Sequence, residues 1–168
     1  MTNKIWQGVN QMWVSRKELL LWSIALPGFG QLLNGKLFKG IGIIILEILI
    51  NVNSHFNEVI MLSFQGDIEK ATLQADYQWL MFYPCLYFFS MWDAWIDGGG
   101  RNNKYSFLPL VFVVYFVTIG CIYSSKFRLF GILFGPVWLP ILAVIPGLVI
   151  GILIKNLLII FVSRKSRL

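Results

Sequence analysis

Charge, histidine and cysteine are scarce in this chain, and each scarcity removes a class of function. Asp, Glu, Lys and Arg make up 13% of the 168 residues, about half the share of an ordinary soluble domain. Hydrophobic residues make up 57%, with seven Trp, six Tyr and fourteen Phe. A soluble globule of this size cannot hide so many apolar side chains and still show water a polar surface, and a disordered chain would be rich in charge and poor in aromatics. The single histidine, His55, excludes a His-rich metal centre and leaves a Ser or Cys nucleophile almost without candidate bases. The two cysteines, Cys85 and Cys121, lie inside apolar runs. Their spacing suggests neither a disulfide framework nor a metal pair, and they read as small buried hydrophobes. GFG at 28–30 is an incomplete dinucleotide fingerprint, and neither a complete phosphate-binding loop nor a GxSxG elbow occurs. The expectation is a protein that is not an enzyme, with no cofactor and no metal.

What the chain does have is a series of apolar runs separated by basic residues. This composition predicts an all-α, polytopic helical membrane protein. It would have four or five transmembrane or re-entrant segments and an N-terminal amphipathic interfacial helix, folded as a single membrane domain over 1–168. The net charge of +6 comes from Lys and Arg placed between or beyond the apolar runs, where such residues set topology. No basic run is interleaved with exposed aromatics, so nucleic acid is not expected as a partner. No cleavable signal peptide is expected either, because the first residues are too polar for an apolar signal core.

Residues 4–17 place Ile5, Trp6, Val9, Met12 and Trp13 at helical spacing, the pattern of a helix lying in the membrane interface. Residues 19–33 form a short kinked or re-entrant segment. Fifteen residues rise only about 22 Å against a hydrocarbon core of about 30 Å, and Pro27, Gly28 and Gly30 break them partway. A helix is expected over 40–60, an acidic outside loop over 54–76, and further helices over 77–96, 107–123 and 129–154. Pro136, Pro140 and Pro146 interrupt the last of these. A basic cytoplasmic tail, 155–168, follows. The positive-inside rule then puts 34–40 and 97–106 inside. It leaves the side of the N-terminus dependent on whether 19–33 spans or re-enters.

The stretch Leu26 to Ile43 reads LPGFGQLLNGKLFKGIGI. Pro27, Gly28, Gly30, Gln31, Asn34, Gly35, Lys39 and Gly40 follow the pattern Pro-Gly-x-Gly-Gln, apolar pair, Asn-Gly, then Lys-Gly opening a helix. In this the chain resembles the bacterial TM2-domain and TM2-like membrane proteins, and Trp92, Asp93 and Asp97 look like the Trp-Asp, Asp-x3-Asp element many of them carry. The resemblance implies two spans across 19–53 and no catalytic residues. Apart from any family, the broken-helix motif Pro27, Gly28, Gly30, Gln31, Asn34 and Gly35 reads in two ways. It can be a close-packed helical hairpin, with Gln31 bonding carbonyls freed by the proline. It can also be a headgroup or substrate site at an interrupted helix. LPGFG at 26–30 has a weak echo in IPGLV at 145–149.

Two sets of charges stand out. Glu47 lies inside an apolar run, where a carboxylate is costly unless it is paired, protonated or wet. On a continuing helix Glu47, Asn51, Ser54, His55 and Glu58 would share one face. That stripe could pack against neighbouring helices or line a route for protons or cations. His55 and Glu58 could also contribute two metal ligands, too few for a closed site. Asp93 and Asp97 sit at the C-terminal end of a helix, where the macrodipole disfavours anions. They therefore call for cations from among Lys36, Lys39, Arg101 and Lys104, as an interfacial ion-pair cluster; a cation site held by the paired carboxylates is the alternative.

The expected partners are the lipid bilayer and either a membrane-protein partner or a second copy of the chain. The expected function is that of an accessory or scaffold component in a bacterial cytoplasmic membrane. A small transporter or channel subunit using the Glu47 stripe is the alternative.

Overall fold

The computed structural model describes residues 15–100 and 104–165. In chain order its elements are α1 (Arg16–Ala25), α2 (Phe29–Leu33), α3 (Leu37–Ser54), α4 (Phe56–Phe64), α5 (Ile68–Gln74), α6 (Tyr77–Leu80), α7 (Phe82–Asp97), α8 (Leu108–Tyr123), β1 (Arg128–Leu129), β2 (Ile132–Leu133) and α9 (Gly135–Lys165). The chain is thus mostly helical. It divides into two compact units, Met1–Leu49 with Leu86–Asn102, and Ile50–Cys85 with Asn103–Leu168. The expected interfacial helix over 4–17 lies outside the described residues apart from Ser15, Arg16 and Lys17.

The first unit is organised by a helix break. Ser15 opens α1 with a capping box: its hydroxyl accepts the Glu18 N–H at 3.2 Å, and its own N–H donates to the Glu18 carboxylate at 3.0 Å. α1 stops because Leu26 is extended, as the residue before a proline tends to be. Gly28 then turns the chain at φ +95°, a left-handed conformation that a β-carbon would resist. α2 lasts only until a Schellman turn, in which Gly35 N–H donates to Leu32 O at 3.0 Å and Lys36 N–H to Gln31 O at 2.9 Å. Gly30 is needed for close approach. A β-carbon there would fall 2.6 Å from the Leu19 carbonyl oxygen, 2.9 Å from Ala94 Cβ and against Ser23 Oγ. The buried set of this unit mixes Leu19, Ile43 and Ala94 with Ser23, Gln31 and Ser90.

The second unit has a small apolar core of Val59, Ala71 and Val137, with Phe56, Ile60, Leu62 and Ala75 packed on it. This differs from the loop expected over 54–76, because α4 and α5 fold there. Their charged residues Glu58, Glu69 and Lys70 face out, while Val59, Ser63 and Ala71 supply the buried positions. The helix expected over 40–60 is likewise interrupted. α3 ends at Ser54, and His55 takes φ +55° before α4 begins. The Ser54 carbonyl accepts the Asp76 N–H at 3.3 Å, a partner far along the chain.

α8 and α9 meet through glycine. Gly147 lies against the Val113 backbone, Gly151 against Pro109, and Gly120 against Pro140 and Ala143. The prolines do not interrupt the last helix. α9 runs unbroken through Pro140 and Pro146 and takes in the tail as far as Lys165. Pro136 stands in the first turn, where its missing donor costs nothing. Pro140 and Pro146 leave the carbonyls one turn back without a helical donor, a loss that packed apolar helices tolerate.

Two helices are long and apolar enough to cross a membrane, Leu37–Ser54 and Gly135–Arg164, and Leu108–Tyr123 is a shorter apolar helix. Between α8 and α9, β1 and β2 form an antiparallel hairpin. Leu129 pairs with Ile132, and Phe130 and Gly131 turn at φ +51° and +82°.

Candidate functional site

The polar side chains of the first unit converge on the helix break. The turn at Pro27 and Gly28 leaves the Gly28 N–H without a helical acceptor, and Ser90 Oγ on α7 accepts it at 3.1 Å. Gln31, in the first turn of α2 and fully buried, reaches the same place. Its Nε2 donates to the Ser90 carbonyl at 2.8 Å and to Asp93 Oδ2 at 3.1 Å. The other Asp93 oxygen accepts from Lys39 Nζ at 2.7 Å, and the same ammonium reaches Asp97 Oδ2 at 3.2 Å. Tyr87 OH donates to the Ile24 carbonyl at 2.6 Å, near the end of α1. Ser90, Asp93 and Asp97 fall at i, i+3 and i+7, on one face of α7.

The electrostatics follow from position. Asp93 and Asp97 lie in the last turns of α7, where the helix carbonyls present partial negative charge. One ammonium from the first turn of α3 serves both carboxylates, whose side chains are 15% and 19% exposed. Of the cations available by sequence, Lys39 is the one that pairs. Lys36 is exposed and forms no ion pair among the described residues, and Arg101 lies outside them. Asn34 caps the end of α2 through its backbone, with its N–H on Gly30 O and Leu32 O. Gly35 makes the turn into α3. Three buried polar atoms here have no hydrogen-bond partner: Ser23 Oγ, Gln31 Oε1 and Asn34 Nδ2.

Of the expected stripe, Glu47, Asn51 and Ser54 keep the i, i+4, i+7 spacing on the unbroken α3, whereas His55 and Glu58 do not continue it. Glu47 is 9% exposed and follows Gly40 and Ile43 on the buried side of α3, with no hydrogen bond or ion pair among the described residues. Asn51 Nδ2 donates to Asn57 Oδ1 at 3.2 Å. Ser54 is buried, while His55 is exposed at the left-handed break. Glu58 stands on the next helix, exposed, and accepts from Gln74 Nε2 at 2.7 Å. The continuous stripe is therefore corrected: the turn at His55 ends the helical register on which it depended. His55 and Glu58 do not gather further ligands, and no group of three metal-binding side chains exists among the described residues. The cysteines also differ from expectation, since Cys121 is buried but Cys85 is exposed.

Sequence reasoning missed Ser90 and Tyr87. The signal for Ser90 was present, as a small hydroxyl one turn before Asp93 in an otherwise apolar run. Chemically the cluster binds its own backbone and side chains. It contains no nucleophile paired with a base, and its carboxylates are engaged by Gln31 and Lys39. Comparison with known proteins finds no match to a family model, to a curated protein or to a solved structure.

Proposed function

We propose that this chain is a non-catalytic, polytopic membrane component of the bacterial TM2-like kind, with four or five transmembrane or re-entrant segments. It would act as an accessory or scaffold through partner helices or self-association in a bacterial cytoplasmic membrane. The observation that carries this reading is where the apolar surface lies. On α3, Leu37, Phe38, Ile41, Ile45, Ile48 and Val52 are each at least half exposed. On α9, Ile141, Ile145, Val149, Leu153, Leu157 and Phe161 are too. A core helix of a soluble protein would bury these side chains, whereas lipid and partner helices cover them without cost. At the helix break Gly28 N–H, Gln31 Nε2, Lys39 Nζ and the Asp93 carboxylate bond within the chain, and this favours a structural lock over a substrate site, although Ser23 Oγ, Gln31 Oε1 and Asn34 Nδ2 stay unpartnered. The test is purification from native membranes in mild detergent with mass spectrometry of what co-elutes. A stoichiometric partner or a defined homo-oligomer is the expected result. A monomer that conducts or transports in proteoliposomes would overturn the scaffold role.

One observation favours a second reading, a proton- or cation-conducting subunit. Glu47 is a buried carboxylate in the middle of an apolar helix with no partner among the described residues, and such groups often mark ion paths. Flux through proteoliposomes that Glu47→Gln abolishes would establish it, and equal flux with and without the substitution would remove it.

A further inference from the structure

The hairpin between α8 and α9 presents an apolar tip that nothing in the fold explains. Phe130 is 95% exposed, Ile132 65% and Leu129 44%. Leu129 and Ile132 are cross-strand partners and so share one face, while Leu133, opposite Arg128, turns inward and is buried. Phe130 also holds φ +51°. The first position of such a two-residue turn ordinarily takes Asn, Asp or Gly, and a bulky residue there is an outlier. No packing compensates, because the ring is almost wholly exposed. A strained conformation that displays a bare aromatic ring points to a contact outside the chain.

We infer that this hairpin is an interfacial anchor, with Phe130, Leu129 and Ile132 dipping into the headgroup and upper acyl region of a lipid bilayer. The inference rests on the membrane reading above. Three features select lipid as the occupant. The hairpin joins the ends of two apolar helices directly, with Tyr123 ending α8 and Gly135 starting α9. A hairpin of two-residue strands extends only about 10 Å, so it stays near the membrane face where those helices end. Its apolar face continues an exposed apolar surface, through Phe127 to Ile122 and Tyr123 at the end of α8. Lys126 is exposed beside it, and Arg128, also exposed, holds a loose 3.5 Å ion pair with Glu69; a cation flanking an aromatic wedge suits anionic headgroups. Strands this short offer almost no edge for a protein partner to extend.

The experiment places a nitroxide at Phe130→Cys, at Lys126→Cys and at Ile145→Cys in the full chain. Cys85→Ser and Cys121→Ala form the background. The protein is reconstituted into phosphatidylcholine–phosphatidylglycerol vesicles, and collision with oxygen is compared with collision with a water-soluble nickel chelate. Ile145, exposed on α9, is the depth reference. The expected result is more oxygen and less nickel contact at 130 than at 126, with 130 shallower than 145. An aqueous 130 with a deep 145 overturns the anchor and leaves the membrane reading intact. Aqueous values at both sites overturn the two together. A label at 130 shielded from both reagents would mean a protein contact, and would also overturn the anchor. Ile132→Cys, away from the turn, repeats the reading if Phe130→Cys disturbs the hairpin.

Discussion

The chain uses the dipeptide Pro-Gly twice inside apolar sequence, and the two copies have opposite fates. At Pro27-Gly28 the helix ends, Gly28 turns left-handed and its N–H leaves for Ser90. At Pro146-Gly147 the helix continues, and Gly147 remains helical against the Val113 backbone. Proline removes the same donor in both places. What differs is the neighbourhood. The first copy is followed by Gly30 and Gln31 and faces Ser90 and Asp93, side chains able to satisfy a broken backbone. The second is flanked by Ile145 and Leu148 and lies against the Val113 backbone, with no polar side chain beside it in sequence, so keeping the helical bonds on either side is the cheaper arrangement. Proline alone therefore does not decide where a helix breaks; the polar partners within reach do.

Substitutions can break this contrast. The largest effect is expected at Gly30→Val. Its β-carbon would meet the Leu19 carbonyl oxygen at 2.6 Å, a backbone atom that cannot step aside, and a loss of about 3 kcal/mol or failure to fold is expected in detergent melts. Asp93→Ala comes next. It strips a buried Gln31 donor and the Lys39 ammonium of their shared acceptor, for about 2–3 kcal/mol. Asp97→Ala, which loses only the 3.2 Å contact to a partly exposed Lys39, should cost under about 1 kcal/mol. Ser90→Ala leaves the buried Gly28 N–H without an acceptor and should cost about 1–2 kcal/mol. The smallest effects sharpen the comparison by their signs. Pro27→Ala should destabilise by about 1 kcal/mol, because Pro27 is buried and fixes the turn. Pro146→Ala should be neutral to stabilising by about 1 kcal/mol. Its exposed ring packs little, and the substitution returns a donor to the Leu142 carbonyl. Melting temperatures of the pair in one detergent check both signs.

The break at 26–28 was legible in the sequence, because Pro27-Gly28 stands there with Gly30 and the polar Gln31 rather than among apolar residues alone. So was the demand of Asp93 and Asp97 for cations, since a helix C-terminus repels carboxylates whatever lies nearby. That Lys39 rather than Lys36 would meet it was not legible. The two differ by less than one helical turn, and only the direction in which α3 leaves the Gly35 turn separates them. The break at His55 was hidden for a similar reason. Nothing local forces it, and the carbonyl it frees is satisfied by Asp76, more than twenty residues on. Polar spacing alone thus read the stretch from Glu47 to Glu58 as one helix face. The continuity of α9 was misread in the opposite direction, by giving Pro140 and Pro146 the weight that belongs to Pro27.

Gln31, Lys39, Ser90 and Asp93 together would act as a structural lock on the helix break. A double-mutant cycle on melting stability in detergent, with Lys39→Met, Asp93→Ala and the double variant, tests it most directly. The expected result is a coupling of about 1 kcal/mol or more between the two sites, each single variant melting below the wild type. Additive effects near zero, with all four proteins melting together, would contradict the lock.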